Sequence, residues 1–452
     1  MESKYYIFLA ATTVFIPVAS LLGIRYRWAE RALVAGTFFS TCYLIDINLL
    51  SMEWYRGDTR GFEFGVTDWM VISLIIVMAR SPRWRAKRLT VLPPNSGPIL
   101  LFLAIALLSA FAAYVPTYAA FGVFKLLRAI AVYWVGYNYL RSEEDLRFIL
   151  LILAAIVGLE FLLVLQQRQA GIYRAVGSTP HPNTLAIYIN MMNMIFMSFL
   201  INDGKDRIRR YIYLACVSAG TLIVLATFSR GGMTMMVACY ALVIAISVAR
   251  RPDVRKLAII LVMMVAAIPL GLKVAPSIVD RFLNAPVQSG LSREQANAAA
   301  LAMANQHPLG VGINNYSHVA NKTSYSLYFP VEGDRGIVHN IYLLQASELG
   351  WAGLAAFLLV IGNFLWRGLL LVLTAREGPA AWMAIGIFAA MISLWLQSFL
   401  EWVFRQTYLT VEFFMLAGFL VALPRLAQAA RRSRRRRAKL ALILQGRAAQ
   451  CG

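Results

Sequence analysis

Three residues in this sequence have types and settings suited to chemistry: Arg230, Arg293 and His339. Arg230 lies in Ser229-Arg230-Gly231-Gly232, which interrupts two apolar runs. An arginine at the centre of a membrane helix costs about 2.5–3.5 kcal/mol on insertion scales, so it requires water or a partner. The two glycines permit a tight reversal and let backbone N–H groups approach a ligand. Either this is a helical hairpin with a snorkelling arginine, or it is an anion site at the membrane surface. Arg293 follows Ser292 in Ser292-Arg293-Glu294-Gln295, a fit to a capping box with Ser292 as N-cap. The spacing predicts an apolar interfacial helix continuing through Ala298, Ala299, Ala300, Leu301 and Met303. An arginine at the positive end of a helix is badly placed for helix stability; it is either solvated or shares an anion with the helix terminus. His339 opens the apolar run His339-Asn340-Ile341-Tyr342-Leu343-Leu344. An imidazole at a helix mouth is neutral near pH 7 and can accept a proton, although by itself the position equally suits an aromatic belt. Glu348 lies nine residues further on, about 180° round a helix, which argues against a direct pair with His339.

Other polar segments accompany these three. In Gly177-Ser178-Thr179-Pro180-His181-Pro182-Asn183 the glycine and prolines enforce an extended turn. His181 and Asn183 either bind sugar hydroxyls or cap the next helix. Arg174, His181, Asn183 and Asn340 are the candidate glycan or acceptor contacts. The run from Asn305 to Asn315, with Pro308, Gly310 and Gly312, forms a compact turn in which His307 is structural. The stretch Glu53 to Glu63 mixes Trp54 and Tyr55 with Arg56, Asp58 and Arg60, and suits either carbohydrate or an interface belt. No Asp-x-Asp and no His/Cys cluster accompanies these segments, and no metal or cofactor is expected.

The elements that must position these residues are membrane helices. Of 452 residues 60% are hydrophobic and only 14% charged, against about 25% charged in soluble domains. Apolar runs near 20 residues, the length that crosses about 30 Å of hydrocarbon, recur at 6–23, 31–50, 65–79, 98–114, 121–139, 147–167, 183–202, 211–228, 231–249, 256–275, 351–372, 381–400 and 407–424. The first lacks a basic n-region and a small-residue cleavage site, so it reads as a retained span. The net charge of +21 is concentrated in short clusters between spans: 28 of the 43 lysines and arginines fall on one side. That is the cytoplasmic side by the positive-inside rule, and the pattern argues for anionic lipid rather than nucleic acid as the partner. The rule places the N-terminus and all four histidines outside. Cys42, Cys216 and Cys239 lie in apolar runs and Cys451 in the basic tail; all read as unpaired thiols. Lys125, Arg128 and Glu160 are the candidates for deeper charges.

The expected fold is all-α and integral to the membrane, with about 12–14 spans. N-terminal helices occupy 1–167, central helices with the Ser-Arg-Gly-Gly break 168–275, a long outer loop with short helices 276–350, C-terminal helices 351–424 and a basic cytoplasmic tail 425–452.

Three of the segments, taken together, resemble the O-antigen ligase and polymerase superfamily of bacterial envelopes. They are Ser229-Arg230-Gly231-Gly232, the run from Arg293 to His307-Pro308-Leu309-Gly310-Val311-Gly312, and His339-Asn340 with Glu348-Leu349-Gly350 and Gly353. Gly177 to Asn183 is similar to that family's turn before its middle helices. The detailed match covers roughly 170–355. The resemblance implies a fold like that of the multi-helix GT-C glycosyltransferases, in the bacterial inner membrane. It implies transfer of a glycan from an undecaprenyl-diphosphate carrier on the periplasmic face to lipid A-core, or to another glycan. Arg230 and Arg293 would hold the diphosphate and His339 would act at the acceptor hydroxyl, without metal and with inversion at the anomeric centre. The segment Glu53–Glu63 has no counterpart in that pattern. A ligase is favoured over a polymerase. A transporter is the rival from another class, since it also uses intramembrane charge and broken helices. A scaffold leaves the two arginines and the histidine unexplained.

Overall fold

The computed structural model describes every residue except 1, 53, 54, 56, 86, 87, 205, 284–286, 330–335 and 428–452. Cys451, the arginines of 431–437, and Glu53, Trp54 and Arg56 therefore lie outside the described residues.

Helices occupy twelve of the thirteen predicted spans and the first half of the second. They are α1 (Glu2–Arg25), α2 (Arg27–Phe39), α3 (Val66–Arg80), α5 (Ser96–Phe111), α6 (Pro116–Tyr139), α7 (Glu143–Gln169), α8 (Pro182–Asn202), α9 (Arg207–Ala226), α10 (Arg230–Arg250), α11 (Val254–Leu283), α14 (Ile341–Thr374), α15 (Pro379–Gln397) and α16 (Thr407–Ala427). Short α4 (Pro82–Arg85) lies among them, and α12 (Val287–Gln306) and α13 (Tyr316–Lys322) fill the outer segment. The protein is an all-α, multi-pass membrane protein. Among the described residues nine helices are long and apolar enough to cross a membrane. The predicted second span differs most. α2 stops at Phe39, and Asp46–Leu49 (β1) instead pairs antiparallel with Phe62–Gly65 (β2). Asp46-Ile47-Asn48-Leu49 alternates polar and apolar residues, the strand period, but four residues are too few for that period to stand out at the end of a helical run.

Local sequence sets the boundaries. Ser142 and Asp145 form a reciprocal capping box at the start of α7. Pro116, Pro182 and Pro379 sit in first turns, where a missing N–H costs nothing. α8 is the buried centre of the bundle, against α9, α10 and α15. Small residues allow that approach: a side chain at Gly386 would strike the backbone of Ile195, and one at Gly232 would meet Ala186 Cβ at 2.5 Å. Some inward polar groups are bonded to neighbouring helices, as where Asn190 donates to Gly232 O at 2.9 Å.

Basic loops meet one another at one end. Arg83 pairs with Glu30 at 3.3 Å and Arg27 with Glu144 at 3.1 Å; Arg425 donates to Thr90 at 3.1 Å, and Arg250 pairs with Glu377 at 3.5 Å. The other end carries the hairpin, α12, α13 and the turn between α15 and α16.

Two boundary expectations change in the outer segment. α12 begins at Val287, five residues before Ser292, so Ser292 is not an N-cap and Arg293 stands a turn or more inside the helix. α14 begins at Ile341 and breaks at Gly350 (φ 70°). The break frees the Ser347 and Glu348 carbonyls, which accept from Val311 N and Gly312 N at 2.9 Å each. A side chain at Gly350 would overlap the Pro308 carbonyl, so glycine is needed there for both conformation and space.

Candidate functional site

The site is organised by a residue that the sequence motifs did not single out, Glu401. It sits in the turn after α15, which is pinned on two sides. Ile341 N donates to Ser398 O at 3.0 Å, and Arg405, in the 3-10 turn Val403–Arg405, forms an ion pair with Glu348. The Glu401 carboxylate is 4% exposed and meets three of the predicted residues. His339 Nδ1 lies 3.3 Å from Oε2, Arg293 Nη2 lies 3.6 Å from Oε1, and Asn183 Nδ2 donates to Oε1 at 2.5 Å. Arg174 extends the chain by donating to Asn183 Oδ1 at 3.0 Å and to Thr227 O at 3.1 Å. His181 caps α8 by accepting from Asn183 N at 3.2 Å. Burial is the main influence holding the His181 imidazole below its usual range, and Arg174, His339 and Arg293 nearby add to it. Burial alone would raise the Glu401 carboxyl, but His339, Asn183 and Arg293 together hold it below the ordinary carboxylate range.

Arg230 opens α10 against the same turn. A Cβ on Gly231 would lie 3.6 Å from both Gln397 Nε2 and Leu400 Cδ1. Ser229 caps α10, accepting from Gly232 N at 3.3 Å. The reversal itself is made by Phe228 (φ 48°), whose ring stacks on Tyr173 at 4.7 Å. Neither Gly231 nor Gly232 takes a positive φ; Gly232 is required by the packing on Ala186 instead. Among the described residues no carboxylate pairs with Arg230.

Asn183, Arg293 and His339 thus meet at Glu401, Arg174 and His181 adjoin Asn183, and Arg230 precedes the glycine that packs near the turn. His339 and Arg293 retain access, with side chains 42% and 34% exposed. Asn340 is committed to capping α14, accepting from Tyr342 N at 3.0 Å and Leu343 N at 3.2 Å. Glu348 is no partner of His339: besides Arg405 it accepts from Tyr316 N at 3.2 Å. His307 lies among the rings of Tyr114 and Tyr325.

The segment that sequence reading could not place, up to Glu63, forms a buried ion network beside the site. Lys125 pairs with Asp58 at 3.0 Å and Glu63 at 3.8 Å, and Arg128 with Glu63 at 3.0 Å and Asp68 at 2.7 Å. Arg405 lies 3.8 Å from Asp58. Tyr55 stacks on Tyr118 at 4.1 Å and donates to Asn314 O. These described charges face protein, not an open carbohydrate groove. Glu160, the third deep charge, accepts from Ser178 N at 3.0 Å and so braces the turn before α8.

Chemically, the turn at 397–401 sets one imidazole and one guanidinium on a buried carboxylate, with Arg174 one residue removed through Asn183 and Arg230 at the start of the helix packed beside the turn. Three arginines and one glutamate leave a surplus of two positive charges, which favours an anion over a divalent cation. Among the described residues no group of three or more His, Cys, Asp or Glu could hold a metal ion.

Residues 214–358 match the family model described as O-antigen ligase. That segment contains Arg230, Arg293 and His339 and supports the O-antigen ligase and polymerase superfamily for this chain. Comparison with curated proteins gave no match.

Proposed function

With the O-antigen ligase and polymerase superfamily as premise, we propose that this protein is a metal-independent, inverting glycosyltransferase. Its donor is a glycan on an undecaprenyl-diphosphate carrier, and its acceptor is a hydroxyl presented at the periplasmic face of the inner membrane. The observation that carries the reading is Glu401, one buried carboxylate that touches His339, Arg293 and Asn183 at once. A carboxylate on Nδ1 fixes the imidazole tautomer with Nδ1 protonated and leaves Nε2 free to accept a proton. The surplus of two charges from Arg174, Arg230 and Arg293 over Glu401 matches the two charges of a diphosphate diester, and guanidinium forks suit phosphate oxygens.

In the reaction His339 Nε2 removes the acceptor hydroxyl proton as that oxygen bonds to the anomeric carbon. The bond from that carbon to the diphosphate oxygen breaks, and its electron pair leaves with the diphosphate. The leaving group gains one negative charge while the imidazole gains one positive, so the net charge of the site is unchanged. Glu401 stabilises the imidazolium, and the arginines stabilise the leaving group; such preorganised charge is worth a few kcal/mol per group. Attack opposite the diphosphate inverts the anomeric centre.

Lipid A-core is the acceptor we favour, as in a ligase; a second glycan repeat, as in a polymerase, is the alternative. Deletion of the gene separates them. Accumulated lipid-linked polymer supports ligation, single repeats support polymerisation, and unchanged surface glycans contradict both. Asn321→Cys should react with a membrane-impermeant thiol reagent from the periplasm; reaction only after lysis contradicts the proposed sidedness.

A further inference from the structure

At the opposite, basic end of the bundle is a cavity of about 500 Å³, between the starts of α2 and α7, short α4 and the end of α6. Its walls carry four guanidinium groups, Arg27, Arg31, Arg83 and Arg141, and three carboxylates, Glu30, Glu144 and Asp145. The carboxylates hold the arginines in place: Arg27 and Arg31 share Glu144 at 3.1 and 2.5 Å, and Arg83 reaches Glu30 at 3.3 Å. Four cations against three anions leave one positive charge. Among the described residues, two polar groups on the wall have no hydrogen-bond partner. Tyr139, 4% exposed, keeps its hydroxyl unbonded, and so does Arg31 Nε. A buried donor left unpaired costs about 1–3 kcal/mol, and a roomy polar cavity lets a ligand supply the missing acceptor.

The cavity also lies at a definite height. Tyr26 and Trp28, which flank Arg27, stack on each other at 6.1 Å and are 46% and 65% exposed. Exposed Trp and Tyr beside an apolar helix mark the headgroup level of a bilayer. α1 presents Leu21 and Leu22 outward directly above.

We infer that this cavity is a phospholipid headgroup site, in which a single phosphodiester accepts from the Tyr139 hydroxyl and the arginine cluster while its chains run along α1. A phosphodiester carries one negative charge, which the surplus of the wall neutralises. Guanidinium forks select phosphate over a carbohydrate or amide headgroup, and basic pockets between spans are suited to lipid phosphates.

The test uses the full-length protein, stripped of lipid in detergent, with binding read by native mass spectrometry and thermal shift. The probes are dioleoylphosphatidylglycerol, dioleoylglycerol without phosphate, and inorganic phosphate. The phospholipid should bind and raise Tm, and the other two should not. Tyr139→Phe should weaken phospholipid binding about two- to tenfold, the range of one hydrogen bond, without lowering Tm of the lipid-free protein, because no existing bond is removed. Arg27→Gln, at a half-exposed position that tolerates change, should weaken it similarly. Equal protection by inorganic phosphate would overturn the lipid assignment. Unchanged affinity in both variants, or a lower lipid-free Tm for Tyr139→Phe, would overturn the site.

Discussion

Two clusters of basic side chains lie side by side at the end of the molecule that carries the hairpin, and their charge balance differs. In the buried cluster Lys125, Arg128 and Arg405 face four carboxylates, those of Asp58, Glu63, Asp68 and Glu348. Every cation there has an acidic partner, and the members are nearly inaccessible. At the turn at 397–401, Glu401 pairs with Arg293 and His339 only, Arg174 is bonded to Asn183 instead, no described carboxylate pairs with Arg230, and Arg293 and His339 keep a third or more of their side chains exposed. A buried network in which carboxylates outnumber cations by one locks elements together; an accessible one with cations in excess is poised for an anion. Arg405 and Glu401, four residues apart, link the two, so the lock sets the geometry of the site.

This contrast implies that substitutions in the two clusters separate activity from stability. The largest effect is on transfer: His339→Ala should reduce glycan transfer by about 10²–10⁴-fold, the contribution of a general base, with Tm unchanged. Normal transfer would remove the base from the account. On the lock side, Arg405→Ala leaves Glu348 buried without its cation, while Asp58 keeps Lys125. Breaking one side of a buried pair costs about 3–5 kcal/mol, so thermal unfolding should show a large loss of stability and of membrane-inserted protein. A stable, fully active Arg405→Ala protein would erase the distinction between the clusters.

Smaller effects sharpen the comparison. Arg293→Lys keeps the charge but loses the fork; transfer should fall roughly tenfold, equivalent to about 1.4 kcal/mol, and an unchanged rate would mean that Arg293 acts as a point charge. The lock should also have a pH signature. Burial alone would raise the Glu63 carboxyl, but Lys125, Arg128 and the Thr407 hydroxyl bring it down from 4.5 to about 2. A depressed folded-state pKa gives stability that is complete above 4.5 and is lost as pH falls toward about 2. The Tm difference between wild type and Glu63→Gln should therefore be constant above pH 5 and narrow in acid. A difference that grows in acid would contradict the network.

Much of this arrangement was legible in the sequence, for a physical reason: apolar runs and basic loops are imposed by the bilayer itself. The helix positions follow from them for every predicted span but the second, whose later half is a strand. What was not legible depended on long-range partners. Glu401 stands 62 residues from His339 and 218 from Asn183, and a lone carboxylate between two spans belongs to no motif. The available signal was charge: Glu401 is the only acid in the short outer loop 401–406, facing a surface with several uncompensated arginines. The hairpin was hidden because the polar–apolar alternation of Asp46–Leu49 spans only four residues at the end of an apolar run, and its partner strand lies beyond a polar stretch. The early start of α12 removed the helix-terminus argument for Arg293, yet the same residue reached the site through an ion pair.

The central claim, that under-neutralised arginines beside Glu401 bind the carrier's diphosphate, is tested most directly by measuring the affinity of the purified protein for undecaprenyl diphosphate. Wild type is compared with Arg230→Gln and Arg293→Gln at fixed salt. The account predicts at least a tenfold loss in each variant and little change in Lys322→Gln, a cation on α13 away from the turn. Equal affinity in wild type and both arginine variants would contradict it.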